Sequence, residues 1–277
     1  MSEDWAGWVG RSETVVEEIW APRVAQLAAT LDLPRALGEG EPLPPGWQWL
    51  FFNPAVRQSE VGEDGHPRRG GFLPPIELPR RMWAGSRLSY HAPLTVGGTA
   101  EKRSEIARID SKKGRSGTLV FVTLRHTISQ GSVIAMEEEQ DLVYRAPPAP
   151  GDPAPAGKPA PRAQWSEPVH PDAPLLFRYS ALTFNGHRIH YDAPYATEVE
   201  GYPALVVHGP LTATLLQGLA AKARPGGRLT SFAFRGLAPL FVDRTFHIEA
   251  AESEEGLSLW ARNERGEMAM QASATFG

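Results

Sequence analysis

An α+β fold of two similar units, each a helix laid on an antiparallel sheet, is predicted by three observations in this 277-residue chain. A proline-rich break divides it: from Ala146 to Pro174 it reads APPAPGDPAPAGKPAPRAQWSEPVHPDAP. Proline fixes φ and removes a backbone donor, so this stretch is expected to be an extended connector, neither helix nor central strand. A short segment also recurs, Ala92-Pro93-Leu94-Thr95-Val96-Gly97 and Ala238-Pro239-Leu240-Phe241-Val242-Asp243. Finally, the same order succeeds each copy: strand, charged turn (111–117 and 252–256), strand, turn, strand. Units at 1–145 and 175–277, joined by the connector at 146–174, are expected to share one sheet and hold a pocket between them.

Along the chain, Pro22 suits a first helical turn. Val24, Leu27, Ala28 and Leu31 fall on one helical face, and Pro34 ends the run. Residues 36–80, rich in Gly and Pro, read as irregular. Strand patterns cover 102–109, 118–128 and 133–144, with turns marked by Gly114, Gly117 and Gly131. A helix is expected over 210–223, started by Pro210, ended by Pro225-Gly226-Gly227, and apolar on most sides, hence buried. Strands at 229–235, 245–251, 257–263 and 268–276 complete the second unit.

Composition narrows the function. With 42% hydrophobic and 22% charged residues the chain is a globular protein. A net charge of −4, without a Lys/Arg track, argues against nucleic acid as partner. The clusters Arg68-Arg69, Arg80-Arg81 and Lys112-Lys113 with Arg115 read as solvated loops. The absence of cysteine removes disulfides, Cys-ligated zinc, iron–sulfur clusters and a thiol nucleophile, and suits a reducing cytoplasm. No secretory signal opens the chain, and no apolar run approaches the ~18 residues of a membrane span. Neither G-x-S-x-G nor G-x-G-x-x-G occurs in a suitable context.

Chemistry concentrates in Thr183-Phe184-Asn185-Gly186-His187-Arg188-Ile189-His190-Tyr191-Asp192. His187, His190 and Asp192, spaced H-x-x-H-x-D, admit a metal site, but nothing nearby completes a ligand set. A polar cap or surface loop is another reading. An acid–base centre is the third, because Val207-His208-Gly209-Pro210 stands at the start of the buried helix. Gly209 lets a ligand approach the backbone, and a helix N-terminus offers unpaired N–H groups with partial positive charge. A thioester oxygen turning into an enolate could be held there while a histidine moves a proton at the adjacent carbon.

Residues 177–216, FRYSALTFNGHRIHYDAPYATEVEGYPALVVHGPLTATLL, resemble the hydratase motif of MaoC-like (R)-specific enoyl-CoA hydratases. DGHPRRGGFLPPIELPRRMWAGSRL and KKGRSGTLVFVTLRH in the first half are similar to the dehydratase-like first domain of bacterial two-domain relatives. These are associated with mesaconyl-CoA or itaconyl-CoA hydration and with mitochondrial-type 3-hydroxyacyl-thioester dehydratases. The resemblance implies a double hot-dog fold, in which a long helix is wrapped by an antiparallel sheet, acting as a monomer or homodimer. It carries the family histidine onto His190, the next aspartate onto Asp192 and the oxyanion glycine onto Gly209. The family's catalytic Asp falls on Asn185, and its Asn-Pro on His187-Arg188. An amide takes up no proton near pH 7, so His190 is the expected general base and Asn185 a group that orients water.

The implied reaction adds water to an α,β-unsaturated acyl-CoA, or removes it. The thioester supplies the electron sink, so neither a cofactor nor a metal is expected. A dicarboxylic acyl group such as mesaconyl needs a cation, and Arg188, Arg68 or Arg69 could supply it, or bind CoA phosphates instead. Tyr179, Tyr191, His187 and His208 are expected pocket walls, and His66 lies either over the site or on the surface. A fatty-acid-type dehydratase, a thioesterase using Asp192 or Glu198, and a non-catalytic acyl-CoA-binding module are the alternatives.

Overall fold

The computed structural model describes residues 5–114, 117–146 and 157–277. The connector residues 147–156 and the turn residues 115–116 lie outside that description. The first half contributes strands β1 (Ser12–Glu18), β2 (Arg80–Tyr90), β3 (Thr99–Gly114), β4 (Gly117–Gln130) and β5 (Val133–Arg145). The second contributes β6 (Trp165–Val169), β7 (Leu229–Gly236), β8 (Phe246–Ser253), β9 (Gly256–Arg262) and β10 (Met268–Phe276). All join one antiparallel sheet in the order β1-β3-β4-β5-β2-β7-β10-β9-β8-β6. The second half's order is the first half's reversed, as a pseudo-two-fold axis between β2 and β7 requires.

The recurring segment repeats that geometry in detail. The N–H groups of His91 and Ala92 both reach the Ala135 carbonyl, and those of Leu237 and Ala238 both reach the Ala269 carbonyl. Leu94 and Leu240 are both buried. Each copy ends on a left-handed residue, Gly97 at φ 84° and Asp243 at φ 58°. The Leu94 carbonyl accepts from Leu43 N–H, and the Leu240 carbonyl from Val207 N–H, at 2.7 and 2.8 Å. Residues 43 and 207 are therefore equivalent.

Beyond these two residues the halves diverge, which corrects the expectation of a helix lying on the sheet in each half. After Val207 comes helix α3 (Gly209–Ala223), packed on β7 to β10. After Leu43 comes a single 3-10 turn, Trp47–Leu50. It ends at Phe51, whose backbone is extended, and Phe52, at φ 62°, turns the chain away. The helix expected near Pro22 does form as α1 (Ala21–Thr30), but it packs on that turn and on α2 (Ala173–Leu182), its counterpart in the second half. The side of α3 away from the sheet is covered by the first half. Gly46 accepts a bond from Thr214 Oγ1 at 3.2 Å, and Tyr90 Oη donates to Gln217 Oε1 at 2.6 Å. A Cβ on Gly46 would lie 2.7 Å from Gln217 Nε2. One long helix thus serves both halves.

Three strands carry little signal in the sequence. β1 alternates weakly because it is an edge strand, and β2 begins inside a Pro/Gly-rich region. β6 lies within the segment read as connector: Trp165–Val169 pairs only with β8, and Pro168 is tolerated because an edge strand leaves one side of its backbone unpaired. Helix α2 also opens there, with Asp172 Oδ1 capping the Leu175 N–H at 2.8 Å. Among the described residues no helix is long and apolar enough to cross a membrane.

The two halves meet where β2 bulges between Trp83 and Gly85, and a Cβ on Gly85 would overlap the Phe234 carbonyl of β7. Gly85→Ala is therefore expected to destabilise the protein by about 1–3 kcal/mol in denaturant unfolding. Gly218→Ala, on an open face of α3, is expected to stabilise it by about 0.5–1 kcal/mol.

Candidate active site

A cleft of about 2770 Å³ runs between the halves, along the wall where the first half lacks a long helix. Asn185, His187, His190 and Gly209 line it together, with Tyr179 and Tyr191. The turn that carries the histidines begins after α2, where Phe184 takes a left-handed φ of 49° and redirects the chain. Asn185 Oδ1 then accepts the His187 N–H at 3.0 Å, which leaves the Asn185 amide nitrogen without a partner among the described residues.

His190 sits at the end of a 3-10 turn, buried, and donates from Nδ1 to the Val206 carbonyl at 2.7 Å. That bond fixes the tautomer and leaves Nε2 as the free lone pair. The imidazole stacks on His208, with centroids 3.7 Å apart and planes 20° apart. His208 is fully buried, is held through Nε2 by Ser180 Oγ at 2.8 Å, and packs edge-on against Tyr179. The next residue is Gly209, the first of α3, whose N–H has no acceptor among the described residues. Space is open around its α-carbon. The His190 ring and the Gly209 N–H are thus fixed by one short stretch of chain, 206–209.

Some expected residues fall elsewhere. His208 does not line the cleft and instead supports the His190 ring from behind. Arg188 is also off the lining: it pairs with Asp192 at 2.8 Å, reaches the Glu63 carbonyl at 3.1 Å and lies over the Tyr195 ring. That same pairing removes Asp192 from any metal set with His187 and His190, and from a thioesterase role. Glu198 is exposed and also off the cleft. Arg69 lines the cleft, but its guanidinium is bonded to the Ile76 and Pro79 carbonyls. Arg68 lines it from an exposed position with no side-chain partner among the described residues.

The first half contributes more than the sequence suggested. The 60–69 loop is docked on the histidine turn: Arg188 N–H bonds the Asp64 carbonyl at 2.9 Å, and a Cβ on Gly65 would overlap the Gly186 carbonyl. Asp64 Oδ2 holds His66 Nδ1 at 3.0 Å, and the His66 ring lies 4.1 Å from that of His187. Asp64, His66 and His187 bring possible ligand atoms within 4.8 Å of one another. Arg80 and Arg81 are not solvated loops but lie on β2, partly buried. Arg80 pairs with Glu200 at 3.0 Å, and Arg81 lines the cleft. Asp64 and Arg81 fall in the stretch 64–88 that resembles the dehydratase-like first domain, but the resemblance gives them no site role, because only folding brings the 60s loop and β2 against the motif. The opposite wall carries the buried Glu138, bonded by Trp49 and Ser86 and pushed up by burial.

Burial sets the charge of the cluster. It pushes His190 down to about 4 despite the Val206 bond. It pushes His187 down to about 2, with His66 and His190 adding to the effect, and His208 well below the usual range. Burial would raise Asp64, but the bonds from His66 outweigh it and hold that carboxyl below the usual range. At neutral pH the site presents neutral imidazoles, with His190 able to accept a proton.

The chain is similar to known proteins in sequence and in fold. Residues 46–242 match the family model described as hydroxyacyl-thioester dehydratase type 2. The chain is 46% identical to the mesaconyl-C(4)-CoA hydratase of Chloroflexus aurantiacus, over 100% of this chain and 99% of that one. The solved structure of HtdX from Mycobacterium tuberculosis superposes with a TM-score of 0.69 at 21% identity, covering 96% of this chain and 100% of that one. A further protein of Mycobacterium tuberculosis, described as having a double hotdog fold, gives 0.59 at 16% identity, covering 97% and 96%. The double hot-dog expected from the sequence is the fold observed.

The depressed histidines give a pH signature. The unfolded chain takes up protons near pH 6.5 that folded His190 and His187 refuse until about 4 and 2. Their neutral forms therefore cost no stability above pH 6.5, and stability falls as pH drops from 6.5 towards 4. Thermal unfolding across that range should show the melting temperature decreasing. By NMR, the His190 ring should stay neutral down to about pH 5.

Proposed function

The chain belongs to the hydroxyacyl-thioester dehydratase type 2 family, and from that premise we propose reversible hydration of an α,β-unsaturated acyl-CoA, with mesaconyl-C4-CoA or a similar branched dicarboxylic enoyl-CoA as substrate. The substrate reading draws on the 46% identity, over the full chain, to a hydratase of that name. The observation that carries the mechanism is that His190 and the free Gly209 N–H line one cleft, joined by the 206–209 segment.

In the proposed reaction the thioester carbonyl lies at the N-terminus of α3 and accepts from Gly209 N–H. Asn185 and His190 hold one water over the β-carbon. His190 Nε2 takes a proton from the water as its oxygen bonds that carbon, and the double-bond electrons move to the thioester oxygen as an enolate. The Gly209 N–H and the helix dipole stabilise this charge where it develops. The enolate collapses as His190 returns the proton to the α-carbon, giving the 3-hydroxyacyl-CoA. A histidine that burial makes reluctant to stay protonated is well suited to the second step. The thioester is the electron sink, so the scheme uses no cofactor and no metal.

Incubation with mesaconyl-C4-CoA and crotonyl-CoA is expected to bleach the enoyl-thioester absorbance without releasing thiol. Thiol release would indicate a thioesterase, and no change with either substrate a binding module. Crotonyl-CoA turned over faster than mesaconyl-C4-CoA would point to a fatty-acid-type dehydratase. His190→Ala should lower kcat by about 10²–10⁴ while leaving the melting temperature near that of the parent. Residual turnover within a few-fold of the parent would remove His190 from the mechanism.

A further inference from the structure

The proposed substrate carries a second carboxylate on its β-carbon, and the arginines expected to hold it do not serve. Arg188 is paired with Asp192, Arg69 is spent on two backbone carbonyls, and Arg68 stands exposed. Arg81 remains. It lies on β2, lines the cleft with His66, His187 and His190, and makes no ion pair among the described residues. Its positive charge acts on both His66 and His187, and so lies close to that pair. Its register partner Tyr144 carries a buried hydroxyl that feels the charges of both Arg81 and Arg69, and the Arg69 guanidinium lies 5.9 Å from the Tyr144 ring.

The arrangement has a direction. Ring centroids run from His190 to His187 over 5.4 Å and from His187 to His66 over 4.1 Å, leading away from Gly209 and His190 towards the first half. A thioester oxygen on Gly209 and a β-carbon beside His190 leave the β-substituent pointing along that line. Asp64, His66 and His187 have the ligand types of a cation site. But Asp64 is already engaged by both the His66 ring and the His66 N–H, and an unpaired guanidinium stands beside the histidines. With the imidazoles neutral, the Asp64 carboxylate offsets one of the two guanidinium charges, Arg69 and Arg81, that reach His66, so the corner keeps a net positive charge that suits an anion. His187, with no side-chain hydrogen bond among the described residues, can add a donor from its ring.

We propose that Arg81 is the specificity residue of the site, pairing with the free carboxylate on the β-carbon of a dicarboxylic enoyl-CoA in the corner bounded by His66 and His187. This rests on the dicarboxylic substrate reading above. The test compares kcat/KM for mesaconyl-C4-CoA and for crotonyl-CoA, which lacks the carboxylate, in the parent, Arg81→Gln, Arg81→Lys and Arg68→Gln. Arg81→Gln should lose about 100-fold on mesaconyl-C4-CoA, mainly through KM, and change less than about three-fold on crotonyl-CoA. Arg81→Lys, which keeps the charge but not the two-pronged geometry, should lose about ten-fold on the dicarboxylic substrate alone and carries the comparison if Arg81→Gln fails to fold. Arg68→Gln should leave the ratio of the two substrates unchanged.

Equal losses on both substrates in a folded Arg81 variant would overturn the assignment, as would an unchanged ratio. Inhibition of the parent by succinyl-CoA and butyryl-CoA separates the substrate class from the residue that reads it. Succinyl-CoA binding no better than butyryl-CoA would defeat the dicarboxylic reading itself, and the Arg81 proposal with it. Tighter succinyl-CoA binding that survives Arg81→Lys and Arg81→Gln would defeat the Arg81 assignment alone.

Discussion

The hydrogen bond from His190 Nδ1 to the Val206 carbonyl governs the site. It selects one tautomer, aims Nε2 away from the backbone, and ties the histidine turn to the segment that enters α3. Stacking on His208 adds the second constraint, since His208 is itself the residue before Gly209. In the proposed reaction a proton acceptor at the carbons and an oxyanion donor at the thioester oxygen are held at a fixed separation. His190 and Gly209 are not free to drift independently, because only Val207 and His208, both buried, lie between the Val206 anchor and Gly209.

The second organising fact is broken symmetry. The two halves share strand order, edge strand, flanking helix and left-handed turn, yet only one forms the long central helix. The aromatic turn at Trp47–Leu50 stands in place of the other, and a cleft lies along that wall. With a helix in both halves, little room would remain for a ligand as large as acyl-CoA. The histidine turn is similarly one-sided: Asp32 and Phe184 are matching left-handed residues, but the loop after Asp32 reaches its sheet contact at Glu41, far sooner than the loop after Phe184 reaches Leu205. The half without the motif instead lends the 60–69 loop, and with it Asp64 and His66.

The site is electrostatically economical. Burial keeps the histidines uncharged, Asp64 is satisfied by His66, and Arg188 and Asp192 cancel each other outside the cleft. Asp64 offsets one of the two guanidinium charges, Arg69 and Arg81, that reach the histidines, and Arg69 is the one held by backbone carbonyls. The part of the cleft away from the histidines sets buried Glu138 and His126 among the apolar side chains of Trp49, Phe52, Leu124 and Ile128.

Much of this was legible in the chain. Periodicity and proline placement located α1 and α3, the alternation of apolar residues located seven of the ten strands, and the recurring segment marked the sheet contacts and turns of both halves. These are local signals, written within a dozen residues. The motif likewise named His190, Asn185 and Gly209, which line one cleft, because the histidine turn and the helix start lie close in sequence. The pairing of Arg188 with Asp192 is a contact four residues apart, whereas edge strands, the loss of one central helix and the burial of His208 were not written locally. Nor were Asp64 and Arg81, which reach the cleft only when the two halves share a sheet. Sequence alone determined which chemistry the chain carries. The tertiary structure decided which charges that chemistry meets, because burial and contacts such as His66 on His187 and Arg80 with Glu200 join residues more than a hundred positions apart.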